Sequence, residues 1–234
     1  MTVPGSGRRE RKRLVGGILR EADLETSLAR AFRLPLRQLI DPLCAHLPGL
    51  DGPLKWRAVS VLGAVVARLA EEERETARNV MRRLVWTLSD ESGGIGWGAP
   101  EAMGEAMARS EAMADDFAHV LVAFLRPDGN QLEFEALHPA VLWGVGRLAH
   151  ARPEHAADAA PHLPLYLRSP DPAIRGTAAW AALALPRDAT AALLEGLRDD
   201  PAVFELCEAG VPTLVRVGDV VARWGGSPSR DGSH

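Results

Sequence analysis

Lysine and cysteine are nearly absent from this 234-residue sequence, each occurring twice, at Lys12 and Lys55 and at Cys44 and Cys207. The cysteines stand far apart and belong to no Cys-x-x-Cys or Cys/His spacing, so spacing suggests neither a disulfide framework nor a zinc site. The scarcity of lysine leaves 25 arginines among the 27 basic residues. That bias fits a GC-rich genome before it fits a demand for guanidinium chemistry. No run of about 18 apolar residues occurs, as a membrane-spanning helix would need. The basic stretch RRERKRLVGGIL, beginning at Arg8, lacks the long apolar region and small-residue cleavage site of a secretory leader. The expectation is a reduced, cytoplasmic protein with no membrane partner. An excess of positive charge is missing as well. The net charge is −4 and the pI is near 6.0, which argues against a chain whose main work is coating nucleic acid.

Period-two alternation is nearly missing before residue 200. What fills the chain instead is apolar residues at i, i+3, i+4 and i+7, in a composition of 47% hydrophobic and 25% charged residues that suits a soluble domain with a core. The spacing predicts helices over 9–21, 23–31, 35–47, 53–71, 73–89, 99–109, 113–126, 134–150, 155–168, 171–184 and 188–198. Their separators are turn sequences: PGLDGP, SGGIG, RPDGN, ARPE, SPDP and PRD. Past residue 198, VFELCEAGVPTLVRVGD is β-branched and carries Gly210 and Pro212. It predicts a β-hairpin of about 202–207 and 212–217 and a short helix over 218–224. A degenerate helical repeat starting at Asp200-Pro201 is the competing reading. Residues 1–8 and 225–234 are expected to be disordered.

Four segments follow one template. DGPLKWRAVSVLG (Asp51 to Gly63) and SGGIGWGAPEAMG (Ser92 to Gly104) coincide at Leu54/Ile95, Trp56/Trp97, Ala58/Ala99, Leu62/Met103 and Gly63/Gly104, an offset of 41. FEALHPAVLWGVG (Phe134 to Gly146) and DPAIRGTAAWAAL (Asp171 to Leu183) follow, with Trp143 and Trp180 on one template position. The period of about 40 is that of two-helix repeats. Asp171-Pro172-x-Ile174-Arg175 with Ala178, Ala179, Ala182 and Leu183, and Asp51-x-Pro53-Leu54-Lys55 with Ala58, Leu62 and Gly63, resemble the HEAT repeat, in particular its bacterial, phycobilisome-lyase-like variety. The resemblance covers residues 35–186. The stretches KWRAV, RRLVW, SDESGGIGWGAPEAMGE, DGNQLEFE, VLWGVGRLA and IRGTAAW are similar to an uncharacterised bacterial HEAT-repeat family. The implied fold is all-α, a right-handed α-α superhelix (HEAT-type solenoid) over 9–198, followed by the small C-terminal β-hairpin and helix over 199–224.

On this template, positions 4, 8 and 12 face the first helix of each repeat. Position 6 (Trp56, Trp97) lies nearly opposite and position 10 (Trp143, Trp180) lies one turn further on. All four rings are therefore expected on one side. The HEAT resemblance implies that this side is the concave surface, lined also by Gly63, Gly104 and Gly146. Two roles are open for the rings. They form a binding face, or they pack between repeats and beneath a terminal element, for which the hairpin is the candidate.

In SDESGGIGWGAPEAMGE, Pro100 fits a first helical turn, so helix begins at Ala99 or Pro100 and Gly93 to Gly98 are loop. Gly94 and Gly96 leave free N–H groups at a positive helix end, which suits either an anion or simply a tight turn closed by Glu101. The glycines do not have Rossmann or P-loop spacing. Asp90, Glu91, Glu101 and Glu105 gather four carboxylates within sixteen residues, Glu101 and Glu105 four apart on one face, which suits acid–base or cation chemistry, or ion pairing with Arg82 and Arg83. Arg74, Arg78 and Arg82, set among Glu71, Glu72, Glu73 and Glu75, read as a solvated, ion-paired face in preference to a phosphate track. His138, His150, His155 and His162 have no ligand spacing, and no Ser/His/Asp or Cys/His arrangement, metal set or cofactor motif emerges. The functional expectation is a non-catalytic binding or scaffold module that takes a protein segment or small ligand on its tryptophan face. The alternative is a nucleic-acid-acting HEAT enzyme of the DNA-glycosylase kind, which the net charge disfavours. A prosthetic-group lyase or chaperone is implied by the family resemblance alone.

Overall fold

Two neighbouring helices bury very different shares of their surface, and the difference sets the layers. The computed structural model describes residues 7–49, 52–88, 95–186, 188 and 190–223. Helix α4 (Gly52–Glu72) buries Trp56, every residue from Ala58 to Val66, and Leu69. Helix α5 (Arg74–Leu88) buries only Ala77, Val80, Met81 and Leu84, the i, i+3, i+4, i+7 stripe of a helix with one face on the core. So α4 lies inside and α5 outside. Helices α6 (Ala99–Arg109), α8 (His138–Ala151) and α11 (Pro172–Ala182) are buried like α4, and the four pack side by side in chain order. Against them lie α3 (Leu36–Cys44), α5, α7 (Glu111–Ala123) and the segment Pro153–Leu167. Helices α1 (Arg8–Leu19) and α2 (Leu24–Ala31) close the first end.

Helix starts follow side-chain caps. Asp23, Ser110 and Asp171 accept the N–H groups of Thr26, Met113 and Ala173, each cap worth about 1 kcal/mol. Ser110 places the start of α7 at Glu111, two residues ahead of the expected one. The helix expected over 155–168 is instead broken into α9 (Pro153–Ala156), a 3-10 run (Ala157–His162) and α10 (Leu163–Leu167). Pro161 and Pro164 lack the N–H that a continuous α-helix needs. The segment expected over 134–150 opens with a 3-10 turn (Glu135–Leu137) before α8, and 188–198 keeps only α12 (Ala191–Gly196).

Inside the inner row, α6 and α8 touch backbone to backbone. A Cβ at Gly104 would lie 2.4 Å from the Gly144 carbonyl oxygen, and one at Gly144 2.4 Å from that of Pro100. The glycines expected on a groove surface therefore work between elements: Gly63 receives the Glu105 side chain and Gly146 the Trp180 ring.

A hairpin, not a fifth helical pair, ends the described chain. Strands β1 (Val203–Glu208) and β2 (Val211–Arg216) pair antiparallel with Val203 opposite Arg216 and Glu208 opposite Val211. The turn residues Ala209 (φ 52°) and Gly210 (φ 78°) are both left-handed, as a type I′ turn requires. β2 packs on α4 and β1 on α11, so the hairpin crosses the inner row from its first helix to its last. Helix α13 (Val217–Ala222) then packs on α11. At the hairpin entrance Arg175 Nε donates to Asp200 Oδ2 at 2.6 Å, and Asp200 also accepts the Ala202 N–H. The disorder expected for 1–8 and 225–234 concerns residues outside the described ones, apart from Gly7 and Arg8, where α1 begins. No helix among the described residues is long and apolar enough to cross a membrane.

Candidate functional site

Three of the four template tryptophans meet. Trp56 of α4 and Trp143 of α8 have ring centroids 4.7 Å apart, and Trp143 and Trp180 of α11 stack at 6.0 Å and 19°. All three are buried beneath β1. The Trp56 indole N–H donates to the Glu205 carboxylate at 3.2 Å, and the Trp143 N–H donates to the Cys207 carbonyl at 2.9 Å. The Phe204 ring occupies the space over Gly176, where a Cβ would come within 2.4 Å of it. Two polar residues of the rim complete the cover: the His150 ring, which burial keeps neutral, lies 4.7 Å from the Trp180 ring and bonds its carbonyl, and the Lys55 ammonium sits 4.9 Å from the Trp56 centroid. Each buried indole removes roughly 150–250 Å² from water, about 4–6 kcal/mol before entropic costs. The hairpin is thus held by the face it covers.

Trp97 does not join them. Gly96 (φ 63°) and Gly98 (φ 79°) turn the backbone left-handed, and α6 begins only at Ala99. A Cβ at Gly98 would stand 2.9 Å from the Leu47 carbonyl oxygen, so chain approach as well as φ demands glycine there. The template position that is helical in α4 is therefore loop in this copy. Trp97 rests edge-on against Phe134 at 5.8 Å and stays 38% exposed. The arrangement of four rings on one face is thus corrected to three, with the glycine pair turning the fourth aside. Gly94 lies outside the described residues, and with it Asp90 and Glu91 of the expected carboxylate cluster.

The two carboxylates behind the face are buried and paired, but not with Arg82 and Arg83. Glu101, 2% exposed, takes Lys55 Nζ at 2.6 Å on one oxygen while the other has no hydrogen-bond partner among the described residues. Glu105 is held between Arg109 Nε and Arg147 Nε, each at 2.6 Å. Two guanidinium groups thus engage both oxygens of Glu105. Arg83 pairs with Asp41 and Arg82 with Glu75. Arg74 and Arg78 reach Asp116 of α7, and the hydrogen bonds from Arg78 foremost hold that carboxyl down to about 2. The arginine stripe is an ion-paired seam between α5 and α7. Among the described residues no three His, Cys, Asp or Glu side chains are gathered as a metal site. Both cysteines are free. Burial, with Glu105 and Glu205 nearby, pushes the Cys207 thiol up to about 12, while Cys44 is raised by burial against the pull of Arg83.

An open concavity lies elsewhere, a pocket of about 1030 Å³ bounded by α1, α3, α5 and the loop before α6. Trp97, Ile95 and Gly96 form one wall, and Arg8, Arg9, Arg11 and Lys12 another. Sequence reasoning passed over this basic wall, treating RRERKR only as a failed leader. The signal available was a block of like charge at a helix start. It also missed the partners Lys55, Arg109 and Arg147 and the seat of Phe204 over Gly176.

No family model matches the chain. An uncharacterised protein of Archaeoglobus fulgidus is 33% identical over 99 residues, 42% of this chain and 48% of that protein, so the match spans about half the length of the relative. The crystal structure of an engineered protein superposes on 92% of this chain and 94% of its own with a TM-score of 0.50 at 16% identity. At that identity the likeness concerns the fold alone. A second engineered protein matches 92% of this chain and 56% of its own with a TM-score of 0.45 at 18% identity. Fold and face together define a mostly helical protein whose small C-terminal hairpin lies on a row of tryptophans.

Proposed function

We propose that the chain is a non-catalytic binding module, built as a HEAT-type α-solenoid, whose tryptophan-bearing inner face receives an extended protein segment. The observation that carries the reading is the seating of β1. One indole N–H reaches a main-chain carbonyl, another reaches an acidic side chain, and a phenyl ring drops over a glycine notch. These are the means by which grooves hold extended peptides. The occupant here is the chain's own hairpin, and a partner strand bearing an aromatic-acidic-apolar pattern like Phe204-Glu205-Leu206 competes for the same seat. The repeat of about 40 residues and the inner row packed in chain order support the solenoid. The pairing of Glu101 and Glu105 with cations supports binding over acid–base chemistry, and the hairpin lying on the tryptophan face speaks against a nucleic-acid duplex there. The two free cysteines support a reduced, cytoplasmic setting.

The test loosens the occupant without touching the face. A labelled peptide of residues 202–209 is expected to bind the Phe204→Ala chain at least about tenfold more tightly than wild type. The added Trp143→Phe substitution, which removes the indole donor and keeps an aromatic ring, reverses the gain. Equal binding to wild type and Phe204→Ala, or none to either, would show that the face is not a strand receptor.

A further inference from the structure

We infer that the pocket beside Trp97 binds a small phosphate-bearing ligand with a planar ring, of the nucleoside diphosphate class. Arg8, Arg9, Arg11 and Lys12 come from the first turns of α1, and Arg83 enters from α5. Against these five cations the single lining carboxylate among the described residues is Asp41, which is already tied to Arg83. The side chains of Arg8, Arg9, Arg11 and Lys12 make no ion pair with any described residue. This concentration of positive charge stands out in a chain whose net charge is −4.

The backbone adds to it. Cations outnumber the one acid, Glu10, in the first turns of α1 and so run against the helix dipole, and its N-cap, Gly7, offers no side-chain acceptor. Helix α6 opens on the same pocket through Gly96 and Ala99, again without a side-chain cap. A polyanion relieves all of these at once. Four of the five cations are arginines, whose planar forks match pairs of phosphate oxygens.

A bare phosphate leaves the other wall unused. Trp97 and Ile95 stand 38% and 41% exposed on the pocket lining. A flat ring laid there removes apolar surface from water and is attracted to the indole. The volume of about 1030 Å³ lies at the upper end of small-ligand sites. A long acidic peptide or a nucleic-acid strand calls for a cationic track leading away, yet Arg37, Arg74, Arg78 and Arg82 on the neighbouring helices are all taken by carboxylates.

The experiment is calorimetric titration of the full chain at low salt with ADP, pyrophosphate, adenosine and a ten-residue glutamate peptide. The expected order is ADP at least about tenfold tighter than pyrophosphate, with adenosine silent. The exposed-residue variant Arg8→Gln/Arg9→Gln/Lys12→Gln is expected to lose at least tenfold toward both ADP and pyrophosphate. Trp97→Ala is expected to bring ADP down to the pyrophosphate value and leave pyrophosphate unchanged. The inference is overturned if neither phosphate compound binds, if ADP gains nothing over pyrophosphate, if the triple variant binds as wild type, or if the glutamate peptide binds more tightly than ADP. Circular dichroism and melting of each variant confirm that a lost affinity is not a lost fold.

Discussion

Trp56 and Trp97 occupy the same position of one repeated template, yet one is buried with its N–H donating to Glu205 and the other lies half-open in a pocket whose α1 arginines make no ion pair with any described residue. The difference arises from two left-handed glycines. In α4 the template position lies inside the helix, so its side chain joins the row that β1 covers. Before α6, Gly96 and Gly98 delay the helix start, and the indole is delivered to a pocket wall. A repeat array can thus make two unlike surfaces from one pattern by unwinding a single turn. The covered face gives two of its three indole donors an acceptor in β1, while four of the open pocket's five cations make no ion pair with any described residue.

The largest test of this contrast is truncation on the covered side. Trp143→Ala removes a ring packed against both Trp56 and Trp180 and strands the Cys207 carbonyl. A loss of about 3–5 kcal/mol is expected in chemical denaturation. A loss below about 1 kcal/mol would mean that the hairpin and the ladder contribute little to each other's stability.

Gly98→Ala probes the device that separates the two regions. It forces a left-handed residue and a clash with Leu47, and about 1–3 kcal/mol is expected to be lost. A neutral result would show that the chain reaches Trp97 by another backbone route.

One cysteine lies in each region, which gives a chemical comparison. Cys44 lines the open pocket and is partly exposed, whereas Cys207 is buried in β1 with its thiol pushed up to about 12. At pH 8 a thiol of that pKa is about one part in ten thousand thiolate. Iodoacetamide is therefore expected to label Cys44 first and Cys207 on the pace of hairpin opening. The labelling of Cys207 accelerates in Phe204→Ala. Simultaneous labelling in the wild type would contradict the cover. The sign with pH follows from the raised pKa: closed, Cys207 stays protonated and inert until well above pH 10, while Cys44, also raised by burial but partly exposed, is expected to react at lower pH than Cys207.

The smallest effect is expected at Trp97→Ala, less than about 1 kcal/mol, because the ring packs mainly on Phe134. Equal losses at Trp97 and Trp143 would erase the distinction between the regions.

Much of this fold was legible in order and type. The 3.6-residue period located the helices, VFELCEAGVPTLVR located the hairpin, and the template placed Trp143 and Trp180 side by side. The break at Pro153–Leu167 escaped because its apolar residues keep helical spacing while Pro161 and Pro164 remove the donors. The pairings that define the site were out of reach for a different reason. Lys55 and Glu101 lie 46 residues apart, and Trp56 and Glu205 lie 149 apart, so no local pattern records either contact. The glycines of SGGIGWG were visible. Their consequence for Trp97 depends on the Leu47 backbone, which only the folded chain brings near.

The central claim, that β1 holds the indoles of Trp56 and Trp143 while Trp97 stays open, is tested most directly by hydrogen exchange at the individual indole N–H groups, followed by NMR. The account expects the Trp56 and Trp143 protons to persist at least about a hundredfold longer than that of Trp97, in step with the β1 amides. Comparable exchange at all three rings, or fast exchange at Trp143, would contradict it.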